Sequence, residues 1–126
     1  MDEKKKKILI VEDDTFILEL LVAELQRDGF EVQTALTGTD AIVKFKEMRP
    51  DLILLDILLP DKNGFDALRE IRREPEGREV KVMVLSNFSD TPHIEEAQRL
   101  GVIEDLVKAQ YVPQEIAEKI KKALGW

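Results

Sequence analysis

Four apolar runs in this chain break off at residues able to do chemistry: 8–11 at Glu12, Asp13 and Asp14, 52–55 at Asp56, 82–85 at Ser86, and 106–107 at Lys108. A carboxylate at the end of a buried run is costly to leave unpaired, so it is either neutralised by partners or kept for reaction. Acids crowded together repel one another, and a hard cation relieves this; magnesium takes one or two carboxylates together with waters and phosphate oxygens. Lys108 adds a point charge suited to a phosphoryl oxygen, and Ser86 a hydroxyl donor. The sequence has neither a glycine-rich phosphate loop nor a dinucleotide fingerprint, and no cysteine to serve as nucleophile or metal ligand. The chemistry left is magnesium-assisted transfer of a phosphoryl group onto an aspartate. Taken singly these residues have plainer roles (Asp13 a cap, Ser86 a turn residue, Lys108 a solvated lysine), so the inference rests on their convergence.

The elements that must bring them together alternate in type. Residues 7–11 read as a strand, and 15–28 as a helix with Asp14 as candidate cap, Ile17, Leu18, Leu21 and Leu25 inward, and Gly29 as its stop. A second strand over 30–35 precedes a helix that starts near Thr37, carries Asp40 at the third position of a capping box, and buries Ala41, Ile42, Phe45 and Met48. The run 51–56 lacks helical spacing and reads as a strand buried on both faces, after which Pro60 and Asn63-Gly64 turn the chain into a helix over 64–73. Residues 74–79 are its exit loop. A strand over 80–85 leads to a helix over 92–100, with Thr91 as cap and Ile94, Ala97 and Leu100 inward. A short strand at 106–107 and a helix opened by Pro113, with Ile116, Ala117, Ile120, Ala123 and Leu124 inward, complete the chain. Five strand–helix units with right-handed crossovers imply an α/β fold: one parallel sheet in the order 2-1-3-4-5, doubly wound by five helices in the flavodoxin-like manner. In that order ligands bind beyond the carboxyl ends of strands 1 and 3, where Glu12, Asp13 and Asp56 fall, with Ser86 and Lys108 alongside.

Composition agrees with one domain over residues 1–126: 44% of residues are apolar and 36% charged. A net charge of −7 disfavours direct binding of nucleic acid or an anionic membrane, and the lysines at 4–7 read as a solvated lead-in. No apolar run approaches membrane-spanning length and no signal peptide precedes the first strand, so a cytoplasmic protein is expected.

On ILIVEDD (8–14), PDLILLDILLPDKNGF (50–65), VMVLS (82–86) and LGVIEDLVK (100–108), the chain resembles bacterial response-regulator receiver domains of the chemotaxis-regulator type along essentially its whole length. The resemblance implies that Asp56 accepts a phosphoryl group from a histidine kinase or phosphotransfer protein in a two-component system. It implies that Glu12 and Asp13, with Asp56 and the backbone carbonyl of Leu58, hold Mg2+ directly or through water. It further implies that Ser86 and Lys108 bind the phosphoryl oxygens, and that helix 4, strand 5 and helix 5 form the switched face toward an unknown downstream protein. Such a domain phosphorylates and dephosphorylates itself and is not an enzyme on other substrates. With no output domain after the last helix, the chain resembles a stand-alone receiver or one excised from a longer protein.

Two positions depart from the family. Ala109 stands where a cis proline ordinarily follows the lysine, and Asp105 where an aromatic switch residue is expected. Tyr111 reads as a packing residue and His93 as a solvated surface residue. The resemblance also implies that the residues two after the phosphorylated aspartate and two after the hydroxyl residue, here Leu58 and Phe88, flank the line along which water reaches an aspartyl phosphate; neither holds water by hydrogen bonding, so slow turnover is expected. Two other functions fit less well. A pseudo-receiver interaction module is favoured only by the missing aromatic, and an aspartate-nucleophile phosphatase would want an acid where Leu58 stands.

Overall fold

In the computed structural model, which describes residues 5–87 and 90–125, five strands and five α-helices alternate along the chain. The strands are β1 (Lys7–Val11), β2 (Glu31–Ala35), β3 (Leu52–Asp56), β4 (Lys81–Ser86) and β5 (Glu104–Val107). The helices are α1 (Thr15–Arg27), α2 (Gly38–Met48), α3 (Gly64–Arg73), α4 (Thr91–Arg99) and α5 (Pro113–Ala123). The sheet is parallel throughout, as the alternation of elements implies, and its order is β2-β1-β3-β4-β5, the one expected.

Side-chain alternation divides the core into two layers. Leu9, Val11, Ile53, Leu55, Val82 and Val84 meet Ala41, Phe45, Phe65, Leu68, Ile71 and Ala97 from α2, α3 and α4. Ile8, Ile10, Leu52, Leu54, Met83, Leu85 and Leu106 meet Leu18, Leu21, Leu25, Ile116, Ala117 and Ile120 from α1 and α5. Every residue of β3 is buried, which is why its run is continuously apolar until Asp56. Register then sets the strand ends: Val11 lies opposite Leu55, Asp56 opposite Leu85, and Ser86 opposite Val107.

Helix ends follow the expected chemistry with one correction. Asp14 Oδ1 accepts from the Phe16 and Ile17 N–H groups at 3.1 and 3.3 Å, and Thr37 Oγ1 accepts from the Asp40 N–H at 3.0 Å. The cap of α4 is Asp90, not Thr91: its carboxylate accepts from the His93 N–H at 3.0 Å, and Pro92 falls in the first turn, where no donor is needed. Ile94 lies outward with 44% of its surface exposed, against the expectation that it faces inward. The polar exit of α3 forms a 3-10 turn, Pro75–Gly77, organised by Arg72. That guanidinium donates to the carbonyls of Val80 (2.7 Å), Gly77 (3.0 Å) and Leu100 (3.0 Å), tying the start of β4 to the end of α4. Burial pulls the Arg72 pKa down from its ordinary value.

Candidate acidic phosphoacceptor site

The carboxyl ends of β1, β3, β4 and β5 bring together five of the side chains singled out by their spacing. Glu12, Asp56 and Ser86 are buried and Asp13 is exposed. Lys108, which starts a short 3-10 turn after β5, puts its Nζ 3.2 Å from Asp56 Oδ2, 3.0 Å from Glu12 Oε1 and 3.1 Å from Glu12 Oε2. Asp56 Oδ1 accepts from the Leu58 N–H at 3.3 Å, and Glu12 Oε2 from the Asp14 N–H at 3.0 Å. A single ammonium thus serves two buried carboxylates, so that when both are ionised the cluster carries one negative charge in excess before Asp13 is counted.

Burial is the main reason the Glu12 carboxyl is pushed up to about 7; the Asp14 N–H and Lys108 oppose it, and the neighbouring Asp56 charge adds to it. Burial alone would lower Lys108, but hydrogen bonding to Glu12 and the charges of Asp56 and Glu12 outweigh it, so its pKa rises. The acids also fit a cation. Glu12, Asp13 and Asp56 each offer a carboxylate oxygen within 4.8 Å of the others, and buried Glu12 Oε1 has the Lys108 ammonium 3.0 Å away but no well-directed hydrogen bond among the described residues. An all-oxygen donor set with room for water suits magnesium.

Leu58 lies in the β3–α3 loop with 55% of its surface exposed, bridged to Asn63. The loop is held at several points. Gly64 N–H donates to Ile57 O at 2.7 Å, Asn63 Oδ1 caps α3 by accepting from the Phe65 N–H at 2.8 Å, and Asp61 fastens the loop to α2. The Asp61 carboxylate accepts from Gly38 N–H (2.8 Å), Thr39 N–H (3.0 Å) and Thr39 Oγ1–H (2.7 Å). The Thr39 hydroxyl first, then the Gly38 amide, hold its pKa down at about 2. Asp61 was not among the residues singled out by spacing, since its partners lie on another helix.

The two departures from the family acquire different structures. Lys108–Ala109 is trans, as are all peptide bonds among the described residues. Asp105, whose neighbour Leu106 faces α1 and α5, turns to the opposite side of the sheet and meets His93. His93 Nε2 is 2.9 Å from Asp105 Oδ1 and 2.8 Å from Oδ2, and its ring stands edge-on to Phe65 with centroids 5.1 Å apart. The His93 side chain is only 8% exposed, which corrects the expectation of a solvated surface residue. An acid on a sheet strand was the one sequence signal that a buried cationic or donor partner existed. Tyr111 packs against the α1–α5 layer with Lys119 Nζ 5.6 Å from its ring centre, the packing role expected of it. Phe88 lies outside the described residues.

Magnesium binding should depend on Asp13 far more than on Asp14, whose carboxylate is engaged as a helix cap. Titration of Asp13→Ala is expected to show a loss of tenfold or more, since losing even an outer-shell partner of a ligand costs roughly 10–100-fold, and Asp14→Ala a small one. Equal losses would count against the assignment. Because Glu12 must be ionised to serve a cation, wild-type affinity should weaken as pH falls through about 7.

Residues 8–121 match the family model of the response regulator receiver domain. The chain is 33% identical to the chemotaxis protein CheY of Thermotoga maritima over 119 residues, which is 93% of this chain and 96% of that protein. It is 32% identical to the DNA-binding response regulator MtrA of Mycobacterium bovis over 124 residues, 98% of this chain but 53% of that protein, so it spans about half the length of such relatives. A CheY-like receiver domain from Methanospirillum hungatei superposes with a TM-score of 0.87 at 30% identity, covering 97% of this chain and 95% of that one. With the 2-1-3-4-5 sheet and an acid cluster closed by one lysine at its carboxyl edge, this chain belongs to the response-regulator receiver domains of two-component signalling.

Proposed function

We propose that this receiver accepts a phosphoryl group on Asp56 from a histidine kinase or phosphotransfer protein, with magnesium held by Glu12, Asp13, Asp56 and the backbone carbonyl of Leu58. The observation that carries this is the position of Asp56: a buried carboxylate with Lys108 Nζ 3.2 Å away on one side and the Glu12–Asp13 pair on the other. A carboxylate oxygen of Asp56 attacks phosphorus as the bond to the donor's leaving atom breaks, and the electron pair departs with that atom. Lys108, whose ammonium already spans Glu12 and Asp56, can follow the charge onto a phosphoryl oxygen, and the Ser86 hydroxyl donates to another. A bound magnesium ion supplies neutralisation of the charge that develops on those oxygens. The Leu58 N–H fixes the second Asp56 oxygen, so the nucleophile is oriented before the donor arrives. Incubation with magnesium and acetyl phosphate, read by intact mass, tests the reading: a gain of one phosphoryl group supports it, and no gain at any donor concentration overturns it.

Output through α4, β5 and α5 is supported by surface that the fold leaves apolar there. Ile94 on α4, Ile103 just before β5 and Val112 just before α5 are all exposed. Ile94 and Val112 lie toward the carboxyl edge of the sheet, where a downstream protein that reads the phosphorylation state would meet them, and Ile103 lies at the opposite end of β5.

Lifetime follows from what stands beside the acceptor. The exposed Leu58 side chain offers no hydrogen bond with which to place an attacking water, so the aspartyl phosphate should turn over slowly. Leu58→Asn is expected to raise the dephosphorylation rate several-fold while leaving magnesium affinity nearly unchanged. A wild-type protein that loses its phosphate as fast as the variant would show that Leu58 does not control access by water.

A further inference from the structure

Three elements meet at His93. It stands in the first turn of α4, its ring edge rests on Phe65 in the first turn of α3, and its Nε2 contacts Asp105 on β5. An ionised Asp105 is acceptor only, so the bond assigns the ring proton to Nε2. The contact is close and two-sided: Nε2 faces both Asp105 oxygens, 2.9 Å from Oδ1 and 2.8 Å from Oδ2. The position is also connected to the phosphoacceptor site from two sides. Phe65 directly follows Gly64, whose backbone abuts that of Asp56, and α4 is the next element after Ser86 at the end of β4. Its capping residue Asp90 binds the backbone N–H of His93 itself.

We propose that the His93–Asp105 contact is a latch that holds α4 against β5 in the unphosphorylated protein and opens when Asp56 is phosphorylated. The inference rests on the phosphoacceptor reading of Asp56. Movement of Ser86 toward a phosphoryl oxygen draws the chain that leads into α4, and with it the first turn that carries His93. A short, directional side-chain contact is lost by a small displacement, whereas the apolar burial of Ala97 beneath the same helix tolerates it. The pair thereby does with a hydrogen bond what a rotating ring does by packing, at a position where Asp105 could not bury as a ring.

Because the latch belongs to one state only, removing it must favour the other, and the coupling is reciprocal. The test measures beryllofluoride affinity in the presence of magnesium for the wild type, for His93→Phe, which keeps a ring against Phe65, for Asp105→Ala, and for the double variant. Each single variant is expected to bind roughly fivefold tighter or better, and the double variant no tighter than the better single one, since both remove the same contact. The His93 ring resonances of the wild type, followed by NMR, should shift on addition of beryllofluoride, a measurement that needs no variant to fold. Unchanged affinity in the folded variants, or His93 resonances that stay put while the wild type binds, overturns the latch and leaves Asp56 as acceptor intact. No binding by the wild type overturns the phosphoacceptor reading, and the latch with it.

Discussion

Asp56→Asn should abolish the phosphoryl mass gain that the wild-type chain shows with magnesium and acetyl phosphate. The side chains are nearly isosteric, but an amide oxygen is a poor nucleophile and carries no charge with which to share a cation. Loss of the gain cannot be put down to unfolding. Asp56 raises the pKa of buried Glu12 by like-charge repulsion, so its neutralisation relieves the cluster while the Glu12–Lys108 contact at 3.0 Å remains. The variant is therefore expected to melt no lower than the wild type. Paired melting and mass measurements check both halves. A gain that persists at full stoichiometry would move the acceptor to another carboxylate, with exposed Asp13 the first to be tried.

Gly64→Ala should be the most damaging conservative substitution near the site. A Cβ built on Gly64 falls 2.3 Å from the backbone oxygen of Asp56 and 2.9 Å from the Cα of Ile57, and no rotamer change relieves a clash with main chain. Either α3 backs away, losing the Gly64 N–H to Ile57 O bond, or the end of β3 shifts and takes the acceptor carboxylate with it. Overpacking of this kind costs about 1–3 kcal/mol, a fall in Tm of roughly 4–11 °C for a chain of this size. The phosphorylation rate should fall further than stability alone accounts for. Gly38→Ala is the control: there the close neighbour is Lys62 Cγ at 2.5 Å, part of a flexible side chain that can swing aside. Equal melting of the two variants would show that the backbone contact at Gly64 is not what the position requires.

Much of this molecule is written in local pattern. Strands read as short apolar runs, helices as apolar positions three and four apart, and their strict alternation makes the sheet parallel and suits the order 2-1-3-4-5, which the structure adopts. Glu12, Asp13, Asp56, Ser86 and Lys108 were legible because each ends a strand, and a parallel doubly wound sheet sends its strand ends to one edge whatever the side chains are. The sequence by itself therefore determined the fold, the family and the membership of the acid cluster. Only the tertiary structure decided who meets whom across elements. His93 and Asp105 lie on a helix and a strand whose spacing depends on how α4 seats over the sheet, and periodicity names a residue's face, not its partner. Asp61 clamps α2 from another loop for the same reason, and Ile94 faces outward because α4 seats on the sheet with Ala97 beneath it, an orientation fixed by packing and not by local spacing. The charge state of Glu12 likewise belongs to the assembled site: burial is a property of the packed layers around a carboxylate, and no local pattern carries it.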